Sequence, residues 1–178
     1  GDSLCVTTRS ALLVLNREDG TERWRESVSQ QTQPAVGNSA VHIMADGSIH
    51  AYDQMSGEQQ WVYELTDRGS LAPVVRHGRV YAGDGTDIIA LEDGEEVWRT
   101  SIRDLGLHEH ELVVESGADP QKLSLLGRTL AVDDTQIYVG RIAFLHALDA
   151  ETGAGQWTAE IPEMEPADNH IRAPLTVA

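Results

Sequence analysis

The chain is nearly without lysine, cysteine and phenylalanine: Lys122, Cys5 and Phe144 are the single examples in 178 residues. One cysteine excludes an internal disulfide framework and any thiolate-rich zinc site. Cys5 follows Asp2-Ser3-Leu4 rather than an apolar run with a small residue at its end, so it does not read as a lipid-anchor cysteine. Positive charge is scarce: 13 Lys+Arg stand against 29 Asp+Glu, a formal net charge of −16. Such a chain repels phosphate backbones, which excludes nucleic-acid binding through a basic face. Anionic membrane surfaces are disfavoured for the same reason. No apolar run approaches the roughly 18–20 residues of a spanning helix, so direct membrane insertion by a helix is not expected. The sequence has no signal peptide and no initiator Met, beginning Gly1-Asp2-Ser3-Leu4. The expectation is a processed or excised segment of something longer. There is no Gly-Xaa-Ser-Xaa-Gly elbow and no phosphate loop.

What is present is ordinary in bulk and periodic in detail. Hydrophobic residues are 40% and charged residues 24%, as in globular domains generally. The length suits one domain with its own core. The four tryptophans, Trp24, Trp61, Trp98 and Trp157, each have a glycine four residues earlier: Gly20, Gly57, Gly94 and Gly153. The first three tryptophans are spaced by 37 residues and the last gap is 59, which is 37 plus an insertion of 22. Self-similarity at such a period points to a repeat architecture.

Within each repeat, short runs rich in β-branched and aromatic residues alternate with turn signals. The second repeat reads Gln33–Val36, Ala40–Met44, Ser48–Tyr52 and Glu58–Tyr63, broken by Asn-Ser, Asp-Gly and Ser-Gly. The third and fourth repeat the scheme, and the first shows only three runs. Four short, evenly spaced strands per repeat predict an all-β fold, a β-propeller of four-stranded antiparallel blades. About four blades are expected, at about 1–28, 31–65, 70–101 and 124–161, with an insertion at about 102–123. The first blade lacks its first strand, and 172–178 (Ala173-Pro174-Leu175-Thr176-Val177 within it) has the pattern of that strand. Three arrangements fit. The C-terminal strand completes the first blade and closes the ring. Alternatively, the chain is cut from a larger ring of seven or eight blades. Or a second copy completes an eight-bladed ring.

The run Ala147-Leu148-Asp149-Ala150-Glu151-Thr152-Gly153-Ala154-Gly155-Gln156-Trp157 fits A-x-D-x-x-T-G-x-x-x-W at every fixed position. This resembles the tryptophan-docking motif of pyrroloquinoline quinone (PQQ)-type propeller repeats. The second repeat matches with one conservative change (Ala51, Asp53, Ser56, Gly57, Trp61). The first is looser (Val14, Asn16, Asp19, Gly20, Trp24), and the third is two residues short, keeping Ala90, Gly94 and Trp98. The residues have a physical rationale as structural docking groups. The small Ala is read as leaving space for a neighbouring blade's indole. Asp149 with Thr152, and their counterparts, can hold turn N–H groups. Gly supplies positive φ. A buried indole removes about 150–250 Å² from water, and its loss costs about 3–5 kcal/mol, the cost expected for Trp157→Ala.

The resemblance also implies what to look for in chemistry. Quinoprotein dehydrogenases of this family hold PQQ and Ca²⁺ at the propeller axis, with an adjacent Cys-Cys pair and Glu, Asn and Asp around the metal. With one cysteine the pair is absent here, so no catalytic residue carries over and no cofactor is assigned. Other family members are scaffolds of cell-envelope assembly or sensor domains. The expected function is therefore a non-catalytic scaffold or binding module for a protein partner, with further blades or a second copy as additional partners. Part of a quinoprotein dehydrogenase-like enzyme is the alternative. An extracytoplasmic location follows from the resemblance alone.

The densest polar cluster, His108-Glu109-His110-Glu111 with Glu115 and Asp119, has too few ligands in fixed geometry for a metal site and reads as a solvated acidic loop. Glu160–His170 reads as a solvated connection, and His42 and His170 as lone histidines. Asp46-Gly47, Asp84-Gly85 and Asp133-Asp134 read as turns. The acidic, lysine-poor composition resembles that of proteins adapted to high salt, where screening relieves self-repulsion. On that reading the melting temperature rises between low and molar KCl in a thermal melt. An unchanged midpoint leaves only the arginine preference of a GC-rich genome.

Overall fold

The computed structural model describes residues 2–29, 32–66, 71–85, 87–105, 129–141 and 144–160. They form four antiparallel sheets in chain order, with no α-helix among them. The first sheet has three strands, β1 (Ser3–Thr7), β2 (Ala11–Asn16) and β3 (Glu22–Ser27). The second has β4 (Ala35–Gly37), β5 (Ala40–Ala45), β6 (Ser48–Asp53) and β7 (Gln59–Glu64). The third has β8 (Val74–Arg76), β9 (Arg79–Asp84), β10 (Asp87–Glu92) and β11 (Glu95–Ser101), followed by a short 3₁₀ turn over Ile102–Leu105. The fourth has β12 (Thr129–Val132), β13 (Gln136–Arg141), β14 (Phe144–Asp149) and β15 (Gly155–Glu160). Each sheet is a simple up-and-down meander. This is the all-β propeller architecture that the repeats predict. The acidic cluster at 108–119, the loop beyond Glu160 and the candidate closing strand at 172–178 lie outside the described residues.

Local sequence explains the tight reversals. Asp46-Gly47 has φ values of 53° and 81°, and Asp93-Gly94 has 50° and 87°. Two successive positive φ angles make the hairpin turn whose twist matches the strands it joins. Asn38-Ser39 and His77-Gly78 turn in the same way between the first two strands of their sheets.

The core lies in the seams between sheets. Leu12 and Val14 of the first sheet meet Val41, Ile43 and Tyr52 of the second. Met44 and Ile49 meet Val80, Ile89 and Leu91 of the third. Tyr81, Ile88 and Ala90 meet Ile137, Val139 and Leu148 of the fourth. A strand with a neighbour on both faces must be apolar on both, and all six residues of β5 are buried. Along the inner edges, β8 touches both β4 and β12. This places the three short first strands around a common axis, with the tryptophan strands outermost. Close approach there requires glycine: a Cβ at Gly37 of β4 would stand 2.4 Å from Cγ1 of Val75 in β8.

Candidate functional site

The repeated glycine and tryptophan build one device at every seam. On one face of each sheet three residues pair across adjacent strands: Cys5–Val14–Trp24, His42–Ala51–Trp61, Tyr81–Ala90–Trp98 and Tyr138–Ala147–Trp157. Immediately beyond the tryptophan the register slips in all four sheets, between Val14/Leu15, Ala51/Tyr52, Ala90/Leu91 and Ala147/Leu148. Such a bulge increases local twist and re-aims the side chain beside it.

The indole then reaches the next sheet. A Cβ on Gly57 would stand 2.8 Å from the Trp24 ring, and the Trp24 Nε1–H donates to the Gln54 carbonyl at 3.1 Å. Trp61 covers Gly94, where an added Cβ would be 3.0 Å away. Trp98 covers Gly153, with a would-be Cβ 2.5 Å from Cε3, and donates to the Ala150 carbonyl at 3.3 Å. Thr100 strengthens that seam by donating to the Gly153 carbonyl at 2.7 Å.

The turn that receives the indole is shaped by its acidic residue. One Asp53 carboxylate oxygen accepts from the N–H groups of Met55 at 2.9 Å and Ser56 at 2.8 Å, and from the Ser56 hydroxyl at 3.0 Å. Asp149 does the same with Glu151 N–H, Thr152 N–H and the Thr152 hydroxyl. These bonds favour the charged form, and both carboxyls sit below the usual carboxylate range: Asp53 chiefly through the Ser56 N–H, Asp149 chiefly through the Thr152 hydroxyl. Asp133 is held lowest, at about 2, by the N–H groups of Thr135 and Gln136 and by the Tyr138 hydroxyl.

Two expectations from sequence are corrected. The small residue of the motif does not make room for the neighbouring blade's indole, because Ala51 and Ala147 lie directly across from the tryptophan of their own sheet. Trp157 is also not clamped between two described sheets. It is 42% exposed on the outer face of the fourth sheet, so the large truncation cost expected for Trp157→Ala belongs to Trp61 instead.

Other contacts carry no local signal in the sequence, because their partners are far apart in the chain. Arg99 Nη1 donates to the buried Asp84 carboxylate at 2.8 Å and to Asp87 at 3.2 Å, while Nη2 meets Glu96 at 2.8 Å and the Tyr63 hydroxyl at 3.1 Å. Thr66 donates to the same Asp84 at 2.8 Å, so the second and third sheets are tied by a charged network. Arg76 and His77, at the turn after β8, both meet Asp134 of the fourth sheet. That pairing is exposed and contributes little to stability. The notable cleft, about 400 Å³, lies beside β15 and is lined by Leu105, His146, Ala147 and Gly155–Thr158. The His146 ring stands 3.0 Å from the Thr158 hydroxyl on its wall, which leaves that nitrogen occupied by a structural contact.

Among the described residues no group of three or more His, Cys, Asp or Glu is placed to hold a metal. The described residues nearest the common axis are those of the inner strands. Those strands are Ala35-Val36-Gly37, Val74-Val75-Arg76 and Thr129-Leu130-Ala131-Val132. Among these described strands the one charged side chain, Arg76, is a cation, so they bring no carboxylate to a Ca²⁺–quinone pair.

With that geometry, the comparisons with known proteins are informative. A family model described as outer membrane protein assembly factor BamB matches residues 1–113 and again 87–172. The chain belongs to this family. A BamB of Burkholderia pseudomallei (strain K96243) is 31% identical over 100 residues, covering 47% of this chain and 25% of that protein. Among solved structures, BamB from Moraxella catarrhalis superposes with a TM-score of 0.67 at 20% identity, over 90% of this chain and 46% of that one. Quinohemoprotein alcohol dehydrogenase from Comamonas testosteroni superposes with a TM-score of 0.64 at 19% identity, over 94% of this chain and 34% of that one. The chain thus spans half or less of the length of these relatives. The resemblance to PQQ-type repeats read from the motif is the family these matches show, and both of its branches, scaffold and dehydrogenase, share the fold.

Proposed function

We propose that this chain is a non-catalytic PQQ-like propeller segment that serves as a protein-interaction scaffold in cell-envelope assembly. The observation that carries it is the match to the BamB family model over residues 1–113 and 87–172; the described inner strands, which bring no carboxylate to the axis, agree with it. What the described fold gathers at its two ends is turns. In an up-and-down sheet the first and third turns emerge at one end, so Asn38-Ser39 and Asp53–Gly57 share a rim, as do His77-Gly78 with Asp93-Gly94, and Asp133-Asp134 with Asp149–Gly153. The turns of Asp53, Asp133 and Asp149 are braced by carboxylates tied to backbone N–H groups, and rigid loops lose little entropy when a partner binds. The chain's charge of −16 favours a cationic partner surface and fast, salt-sensitive encounter.

The experiment is affinity capture from solubilised envelope of the source cells, at low and at molar salt, with the chain as bait. Envelope-assembly proteins retained at low salt and depleted at high salt support the scaffold. In parallel, the chain is mixed with PQQ and Ca²⁺ and assayed for dye-linked alcohol oxidation. A quinone absorbance band that stays with the protein through gel filtration, together with turnover, overturns the scaffold in favour of the dehydrogenase branch.

A further inference from the structure

The turn that receives Trp24 presents a methionine to solvent. Of the two methionines among the described residues, Met55 is 64% exposed, whereas Met44 is 3% exposed in the seam between the second and third sheets. The place of Met55 in its turn is fixed. Its N–H donates to the Asp53 carboxylate at 2.9 Å, as the Glu18 N–H does to Asn16 Oδ1 and the Glu151 N–H to Asp149, both at 3.1 Å. The three residues hold one structural position. The first and fourth sheets have a carboxylate there, and the second has a thioether.

That thioether faces a cation of the neighbouring sheet. Arg23, which precedes Trp24 in β3, donates from Nη1 to Met55 Sδ at 3.0 Å and from Nη2 to the Asp2 carbonyl at 3.2 Å. Trp24 crosses the same seam, with its Nε1–H on the carbonyl of Gln54, the residue before Met55. A thioether sulfur is a weak acceptor for a guanidinium. An oxygen on that sulfur is a strong one, and a hydrogen bond from a charged donor is roughly twice as strong as a neutral one.

We infer that Met55 is a site of oxidation by hydrogen peroxide and that Arg23 takes up the sulfoxide oxygen, so that oxidation tightens the joint between the first and second sheets. The sulfur lone pair attacks one peroxide oxygen, and the S–O bond forms as the O–O bond breaks. The sulfur gives up two electrons. The proton of the transferred oxygen passes to the departing hydroxide, which leaves as water, and a sulfoxide remains. Sulfoxide formation in a core disrupts packing. Here the new polar group lies in solvent beside a cation, and nothing apolar is breached. Cys5 is a poor competitor, because burial pushes its thiol pKa up and so lowers the thiolate fraction that peroxide attacks.

The test is treatment of the full chain with hydrogen peroxide at neutral pH, read by peptide mapping in a mass spectrometer and by thermal melts. Met55 is expected to gain one oxygen at least about tenfold faster than Met44, as their exposures direct. Oxidation is expected to raise the melting midpoint by about 1–2 °C relative to Met55→Leu treated alike, the size of one exposed charge-assisted contact. That variant keeps Cys5, Met44 and Met164, so changes made at those residues cancel. Arg23→Leu is expected to take up oxygen at Met55 yet lose the rise, which separates capture of the oxygen from oxidation itself. If Arg23→Leu fails to fold, Met55→Glu carries the test. It puts a carboxylate where Glu18 and Glu151 stand, and is expected to give the rise without peroxide. Oxidation of Met44 as fast as of Met55, a native midpoint that stays or falls relative to Met55→Leu, an equal rise in Arg23→Leu, or a Met55→Glu chain no more stable than the native one each overturns the inference.

Discussion

Trp61→Ala is expected to destabilise the protein by about 3 kcal/mol, the low end for tryptophan truncation because the ring keeps some exposure. Trp61 joins the second and third sheets: it covers Gly94 and packs against the cluster of Met44, Ile49, Val80, Ala82, Ile89 and Leu91. Its removal leaves a cavity that backbone on both sides cannot close, since β5 and β10 are each fixed by ladders to two neighbours. Trp157→Ala, at the 42% exposed ring, is expected to cost less than about 1 kcal/mol, as exposed substitutions do. Urea titration of the two variants measures the contrast. Equal losses would mean that seating on a glycine turn contributes nothing beyond local packing. A related outcome is expected at the turn itself. Gly153→Val places a branched side chain at φ +72° with its Cβ 2.5 Å from the Trp98 ring, so strain and collision add. A fall of about 3 kcal/mol or more is expected in the same titration, and a fall near that of a surface substitution would show that Trp98 simply swings aside.

The contrast between Trp61 and Trp157 marks the boundary between what the sequence shows and what it hides. Spacing exposes each strand, each Asx-Gly turn and each tryptophan, because these are set by residues within one repeat. Asp149 and Thr152 are legible as a turn because their bonds span three residues or fewer. Which sheet a tryptophan rests on is not legible, since Trp24 and Gly57 belong to different repeats and the motif is the same whichever one docks. Nor is the role of Ala51, which depends on which strand residue stands opposite and on the register slip beside it. The tie between Tyr63 and Arg99 is not legible for the same reason: they are 36 residues apart, and nothing local marks the pair. The carboxylates that matter are of two kinds: those spent on turn N–H groups, such as Asp53 and Asp149, and Asp84, which ties the second and third sheets through Arg99 and Thr66.

Acid should weaken this protein through one buried histidine before it reaches the carboxylates. His42 is 3% exposed, 5.4 Å from the Trp61 ring, and its Nδ1 has no hydrogen-bond partner. Burial holds its pKa down at about 4, against an ordinary 6.5, although a hydrogen bond with the Ala35 backbone pulls the other way. In the folded chain the ring is therefore neutral where the unfolded chain takes up a proton. Its stabilising contribution is complete above the unfolded value of 6.5 and falls as pH drops from there toward about 4. At about 1.4 kcal/mol per pH unit the loss sums to roughly 3 kcal/mol over that window. The depressed carboxyls act lower: Asp133, folded at about 2, gives up its contribution only below the ordinary 3.8. His42→Phe keeps an aromatic ring against Trp61 and removes the titration. Between pH 7 and 4.5 the native chain should then lose about 2–3 kcal/mol more than the variant in urea titrations. Parallel pH profiles for the two would show that His42 finds water or a counter-charge when protonated, and that the seam between the second and third sheets opens far more readily than its packing implies.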